Sequence, residues 1–320
     1  LMQKNILTEK KRVGKFILNR ILQVVPVVFG VIIISFVLII ILPGDPVLSM
    51  VGERYDEQTV EKMRERLQID KPLVFRAVSF VKNIFSGDLG YSFVTGRPVL
   101  NEILDKFPNT FILALGAMSC AIVLGILLGL FSSLYPGSVL DKTILVFALV
   151  GISSPVFWVG LIFVLVFGVY LGWFPPTGYG GVEYLILPSL TLGLRSAAQI
   201  TRLTRASMIE TLQQDFIRTA ESKDLARWKI LFKHALPNSL IPTITIIGTD
   251  FGSYLSGAVL TESIFGWPGV GRLALEAVLK RDFPVIQGTV LFMALVFICV
   301  NLLIDVLYGV IDPRIRTQNS

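Results

Sequence analysis

Long uncharged runs alternate with short polar ones along the whole chain. The first run, residues 21–42, ends in Leu42-Pro43-Gly44-Asp45-Pro46, a rigid turn. A helix needs roughly 20 residues to cross about 30 Å of hydrocarbon, and this run is long enough. Further apolar runs predict helices near 111–134, 143–173, 184–201, 238–260 and 283–304, which makes six spans. Polar residues 47–106, with helical spacing around 56–67, predict a folded loop outside the membrane. The stretch Phe174-Pro175-Pro176-Thr177-Gly178-Tyr179-Gly180-Gly181 is turn chemistry and marks a short outer loop. The predicted organisation is an all-α membrane protein. It has a basic segment 1–20, a first transmembrane helix 21–42, an extracytoplasmic loop 43–107, a five-helix core 108–311 containing a cytoplasmic loop 204–236, and a tail 312–320.

Composition strengthens this picture. Hydrophobic residues make up 53% and charged residues 16% of the 320, with a mean hydropathy of +0.71, outside the balance of soluble chains. The net charge of +6 raises the question of nucleic acid, yet the basic residues cluster beside apolar runs and not along one soluble face. Membrane topology explains them better, because Lys and Arg accumulate in short cytoplasmic segments. With both termini inside, 17 of the 29 fall in such segments, against 3 in the two short outer loops. Lys4, Lys10, Lys11, Arg12, Lys15 and Arg20 resemble the basic start of a signal peptide, but the apolar run that follows exceeds the usual stretch of about 7–15 residues. A retained first helix is expected. Cys120 and Cys299 sit inside apolar runs, where a thiol acts as a small hydrophobe, so they suggest neither a disulfide nor a metal site.

The longest cytoplasmic loop, 204–236, has a helical pattern. Met208, Ile209, Leu212 and Phe216 recur as in an amphipathic helix, with Glu210, Gln213, Gln214 and Asp215 between them. Ser222 or Asp224 is a candidate cap for a second helix carrying Leu225, Trp228, Ile230, Leu231 and Phe232, which is expected to end at Pro237. Two short helices should therefore meet near Lys223-Asp224. From the residues alone, such a pair suits either a surface anchor in the headgroup layer or a docking element for a partner protein.

Thr219-Ala220-Glu221-Ser222-Lys223-Asp224-Leu225, followed by His234-Ala235-Leu236-Pro237-Asn238-Ser239-Leu240-Ile241-Pro242, resembles the cytoplasmic loop of binding-protein-dependent ABC importer permeases. That loop has the form T-A-x-A-K-G-L, then H-A-L-x-N-x-L-x-P. Here Ser222 stands at the usual Ala, Asp224 at the usual Gly, and Pro237 where a basic residue is common. Gly takes a left-handed turn freely, whereas Asp takes it at a cost of about 1 kcal/mol, offset in part if Asp224 caps the following helix. Other matches are Leu42-Pro43-Gly44-Asp45-Pro46, Gly87-Asp88-Leu89-Gly90 with Ser92, and Leu203-Thr204-Arg205-Ala206-Ser207-Met208. The run Thr261-Glu262-Ser263-Ile264-Phe265-Gly266-Trp267-Pro268-Gly269-Val270-Gly271 and Asp312-Pro313-Arg314-Ile315-Arg316 complete the set. Together they point to the dipeptide, oligopeptide and nickel branch.

The resemblance implies the type I importer permease fold in the cytoplasmic (inner) membrane of a bacterium or archaeon. It also implies a second homologous permease, two ATPase subunits, an extracytoplasmic substrate-binding protein, and ATP and Mg held by the ATPases and not by this chain. ATPase coupling would fall to Thr219, Ala220, Glu221, Ser222, Lys223, Asp224, Leu225, His234, Ala235 and Leu236. Short peptides are the expected cargo, with nickel or a metal chelate as the alternative, since Thr177-Gly178-Tyr179-Gly180-Gly181 suits either. A rival from another class is a secondary transporter or channel that works without ATPases; a non-transporting scaffold is a second.

Chemistry for catalysis is missing from the sequence. No G-x-x-x-x-G-K-[ST] phosphate loop occurs, and the only Gly-Lys, Gly14-Lys15, is followed by Phe16. His234 is the sole histidine, so no H-E-x-x-H zinc motif exists, and no G-x-S-x-G elbow occurs. The plain reading of His234 is a partly exposed residue at a helix end, near terminal carbonyls. Ionisable groups inside spans cost about 2.5–3.5 kcal/mol on insertion scales, so they usually face a cavity or a partner. Arg195 and Asp250 are the candidates for a polar path, Asp250 with Arg195 as its partner, although Arg195 has snorkelling to the cytoplasmic face as an alternative. Asn301 and Asp305 are weaker candidates, Asp305 having the ordering of a helix end as its other role. Glu262 and Trp267 should mark the outer end of the fifth helix, where Trp also serves as an interfacial anchor. Gly125 and Gly129 form a G-x-x-x-G that permits close helix approach.

Overall fold

A proline decides where the third apolar run bends. In a computed structural model, which describes residues 20, 22–37 and 72–311, Ser154 takes the extended conformation (φ −78°, ψ 133°) imposed by the Pro155 ring that follows it. The run predicted as one helix is therefore two, α4 (Val139–Ser153) and α5 (Val156–Tyr170), bent by 110°. The other helices are α1 (Leu22–Val37), α2 (Leu73–Phe85), α3 (Val99–Leu134), α6 (Val182–Leu212), α7 (Asp215–Ser222), α8 (Arg227–Ser239), α9 (Ile241–Leu255), α10 (Val259–Ile264), α11 (Val270–Lys280) and α12 (Phe283–Ile311). No strand occurs among the described residues, only a single bridge between Tyr91 and Pro98. The basic start, the turn at 42–46, the helix expected near 56–67 and the tail from 312 lie outside the described residues.

Two helices are long and apolar enough to cross a membrane, Val99–Leu134 and Phe283–Val306, and the bent pairs α4–α5 and α8–α9 meet the same measure if each is one span. The helix α1 is apolar but shorter within its described residues. Several boundaries differ from the sequence expectation. The helix predicted from residue 111 starts at Val99, because the polar turn around Glu102 and Asp105 belongs to the same helix. The fourth run continues as helix to Leu212, so half of the expected amphipathic helix is the end of α6, and the chain breaks at Gln213-Gln214. The fifth run stops at Leu255, where Gly257 turns at φ 95° before α10.

The chain divides into two compact units. In one, made of the described residues up to Pro108 and from Pro268 onward, Val99 and Ile103 of α3 pack with Val270 and Ala277 of α11 and Val285 of α12. Gly288 lets α12 approach closely, since a Cβ there would lie 2.5 Å from Val99 Cγ1. Buried Asp282 organises the 92–94 loop, accepting from Ser92 Oγ at 2.5 Å and from the Phe93 N–H at 3.1 Å.

In the other unit, Asn109–Trp267, α6 is the central element and packs against α4, α5 and α9. It also answers the question of what the G-x-x-x-G faces. A Cβ at Gly125 would lie 2.5 Å from Ile200 Cγ2, and one at Gly129 would lie 2.7 Å from the Thr201 carbonyl. The glycines therefore seat α3 directly on the backbone and short side chains of α6. Gly193 of α6 reciprocates against the Ala117 carbonyl.

Candidate functional site

The segment expected in the cytoplasm folds as an elbow. Its first arm, α7, ends with Asp224 in the left-handed conformation, φ 56°. The Asp224 N–H donates to Glu221 O at 2.9 Å and the Leu225 N–H to Ala220 O at 3.4 Å, closing the helix by the two reverse bonds of a Schellman turn. Asp thus occupies the turn that suits Gly, as its position in the loop pattern anticipates. It does not cap the next helix: α8 begins at Arg227 behind Ala226, with no side-chain cap, and Ser222 Oγ donates backward to Arg218 O at 2.9 Å.

Pro237 does not end the second arm. Residues Ile230–Ala235 form a π-helical turn, and the Leu236 N–H reaches back five residues to Leu231 O. Widening the coil just ahead of the proline accommodates a ring that has no N–H to offer and would clash in a regular helix. His234 is consequently mid-helix and half-buried; its backbone carbonyl accepts from Asn238 Nδ2 at 2.6 Å, and the expected helix-end role is not its position.

One apolar cluster locks the elbow to the helix ends above it. Ile217 and Ala220 of α7 and Ile230 and Ala235 of α8 are buried with Leu130 of α3 and Met208 of α6, flanked by Leu212, Leu225, Leu231 and Leu236. The opposite side stays open: Thr219, Glu221, Ser222, Lys223 and Asp224 are exposed, as are Phe216, Trp228 and Phe232. Of the coupling residues read from the sequence, Ala220, Ala235, Leu225 and Leu236 therefore face inward, His234 is half-buried, and the other polar ones face out.

A second fastener, which the sequence reading missed, stands beside this cluster. Asp141, at the start of α4, is 1% exposed and takes Arg205 Nε on Oδ1 at 2.6 Å and an Arg205 terminal nitrogen on Oδ2 at 2.7 Å. Ser132 Oγ adds a bond to Oδ1 at 2.5 Å, and the Gly137 N–H one to Oδ2 at 2.8 Å. Four hydrogen bonds from three residues therefore surround this buried carboxylate and satisfy both of its oxygens. That clasp ties the adjoining ends of α3, α4 and α6 together. Its only sequence signal was an Asp and an Arg at the polar margins of two spans, 64 residues apart.

Further along α6, Arg195 and Asp250 line one cavity of about 390 Å³. They do not form the ion pair that the sequence suggested. Asp250 Oδ2 instead accepts from Ser196 Oγ, and Tyr254 Oη stands 2.5 Å from the same Ser196 oxygen and 3.1 Å from Leu192 O. Arg195 is exposed, and Gln199 and Ser253 complete the polar lining. The other two path candidates fall in the other unit. Asn301 bonds its own helix at Phe297 O, 2.9 Å away, and Asp305, inside α12 and not at its end, pairs with Arg20 at 3.4 Å.

Glu262 and Trp267 lie beyond the end of α9, around α10. Glu262 is fully buried and accepts from Thr110 Oγ1 at 2.8 Å. Trp267 is 2% exposed, donates its indole N–H to Asn109 O at 2.9 Å and meets the Tyr179 ring edge-on at 5.0 Å. Such burial rules out the interfacial-anchor role and makes this tryptophan a packing and hydrogen-bonding post.

A family model described as the binding-protein-dependent transport system inner membrane component matches residues 121–317, and one for the N-terminal part of such membrane components matches residues 13–114. Among curated proteins, the chain is 40% identical to the di/tripeptide transport system permease protein DppB of Pseudomonas aeruginosa, over 95% of this chain and 99% of that one. It is 39% identical to the glutathione transport system permease protein GsiC of an Escherichia coli strain, over 94% of this chain and 98% of the relative.

Proposed function

Because the chain belongs to the family of binding-protein-dependent transport system inner membrane components, non-catalytic subunits that work with a substrate-binding protein, we propose that it is one permease of a peptide importer. In this reading it pairs with a second, homologous permease, and two ATPase subunits bind ATP and Mg. Its cargo is short peptides handed over by the binding protein. The names of the relatives favour peptides over the nickel alternative.

The observation that carries the mechanism is the two-sidedness of the elbow. One side is sealed onto α3 and α6, and the other presents Phe216, Trp228 and Phe232 with exposed Lys and Arg neighbours. A part free on one side and fixed on the other transmits force. ATP-driven closure of the ATPases would move the elbow, and with it the ends of α3 and α6, switching the cavity from one side of the membrane to the other. Docking must differ between the two states, because binding shifts an equilibrium only through differential affinity. The topology that goes with it has six crossings, supplied by α1, α3, α4–α5, α6, α8–α9 and α12, with both termini in the cytoplasm. Asp250 and Arg195 line the path in this scheme.

The test is a reconstituted complex in proteoliposomes. Cysteines at Ser222 and Trp228 should cross-link to an ATPase subunit, with a yield that changes on adding ATP, and uptake of a labelled dipeptide should require ATP and the binding protein. Uptake by this chain alone, or an elbow that never cross-links, would overturn the proposal.

A further inference from the structure

The cavity between α6 and α9 holds one carboxylate and one guanidinium that leave each other alone. No ion pair joins Arg195 to Asp250, and among the described residues Arg195 makes no side-chain hydrogen bond. Opposite charges placed in one cavity ordinarily pair, so two that stay apart are each available to a ligand group of the other sign.

The carboxylate is nonetheless held in place. Asp250 accepts on Oδ2 from Ser196, a residue 3% exposed, and among the described residues no group donates to Oδ1. Because a carboxylate can only accept, the Ser196 proton is committed to Asp250. The single proton of the Tyr254 hydroxyl, on a residue 8% exposed, is then shared between that Ser196 oxygen, 2.5 Å away, and Leu192 O at 3.1 Å. Two buried hydroxyls in series thus fix one oxygen of this cavity-lining carboxylate, and among the described residues its other oxygen has no donor. A group needed only to tolerate burial would have both oxygens satisfied, as Asp141 does.

Resting on the importer reading above, we propose that this cavity is a transit site that takes a short zwitterionic peptide by its two ends. Asp250 receives the α-ammonium, Arg195 receives the terminal carboxylate, and the peptide's side chains go unread. The volume, about 390 Å³, lies in the range of small-molecule sites and suits a di- or tripeptide. Grip on the termini is the recognition that a carrier of varied peptides can use, since the termini are what such cargo has in common. Arg195 is exposed and Asp250 half-buried, so water screens both contacts and keeps the site weak enough to let cargo leave.

The experiment uses the whole complex, with binding protein, in proteoliposomes, and labelled alanyl-alanine as the probe. It reads uptake per ATP hydrolysed. Asp250→Asn and Arg195→Gln should each lower that ratio about tenfold, the effect of one lost charged contact, while ATPase stimulation by loaded binding protein stays within about twofold. The exchanged pair Asp250→Arg with Arg195→Asp should recover part of the loss, because a zwitterion can enter the other way round. Unchanged ratios in both single variants would overturn the transit site and leave the importer standing. A parallel loss of ATPase stimulation, or an exchanged pair no better than the single variants, would assign the residues to structure and also overturn it. If the unaltered complex shows no ATP-driven uptake of the probe, the importer reading fails and the site falls with it.

Discussion

The helix α6 carries two arginines that meet aspartates in opposite ways. Arg205 grips Asp141 with two bonds, inside a pocket closed by Ser132 and Gly137, and the pair is spent on holding three helix ends together. Arg195 shares a cavity with Asp250 and forms no bond to it. The same two residue types serve as a fastener in one place and as open contacts in the other. What separates them is whether the geometry lets the charges meet and whether the remaining lone pairs are filled.

Breaking the fastener should have the largest effect. Asp141→Ala leaves half-buried Arg205 without its partner and the Ser132 hydroxyl without its acceptor, and should lower the unfolding free energy of the detergent-solubilised protein by about 3 kcal/mol, read as a fall in thermal midpoint. The equivalent truncation at Asp250 strands no buried arginine, only the Ser196 hydroxyl, and should lower the stability by about 1 kcal/mol.

Next in size is the helix seat beneath the clasp. Gly129→Leu forces a side chain onto the Thr201 carbonyl and should cost about 1–3 kcal/mol, measured the same way. A smaller change of opposite sign is expected at the elbow turn. Asp224→Gly relieves a left-handed backbone and should stabilise by about 1 kcal/mol, with elbow cross-linking retained. The smallest effect sharpens the comparison from outside. Arg97 and Asp105 meet at 2.7 Å, as close as the buried pair, but both are exposed, so Arg97→Gln should leave the midpoint within error.

Much of this architecture was readable from residue order, and the misses share a cause. Apolar runs announce helices, and the Lys223-Asp224 corner and the glycine pair at Gly125 and Gly129 announce themselves by residue type. A hydropathy run, however, averages over a whole span and passes through a single extended residue such as Ser154, although Pro155 stood beside it. Pro237 misled in the other sense, because a π turn supplied the room that a regular helix lacks. Long-range pairs left no local trace: nothing at Asp141 names Arg205, and nothing at Trp267 reveals the Asn109 carbonyl that turns an expected surface residue into a buried one.

Between Ser196 and Thr204, α6 contains neither glycine nor proline. The rod from cavity wall to clasp, Arg195 to Arg205, is therefore about 15 Å of unhinged coil, ten steps at about 1.5 Å each. A pushrod of that kind has nowhere to absorb a shove. Whatever displaces its clasped end arrives, undiluted, at the cavity wall.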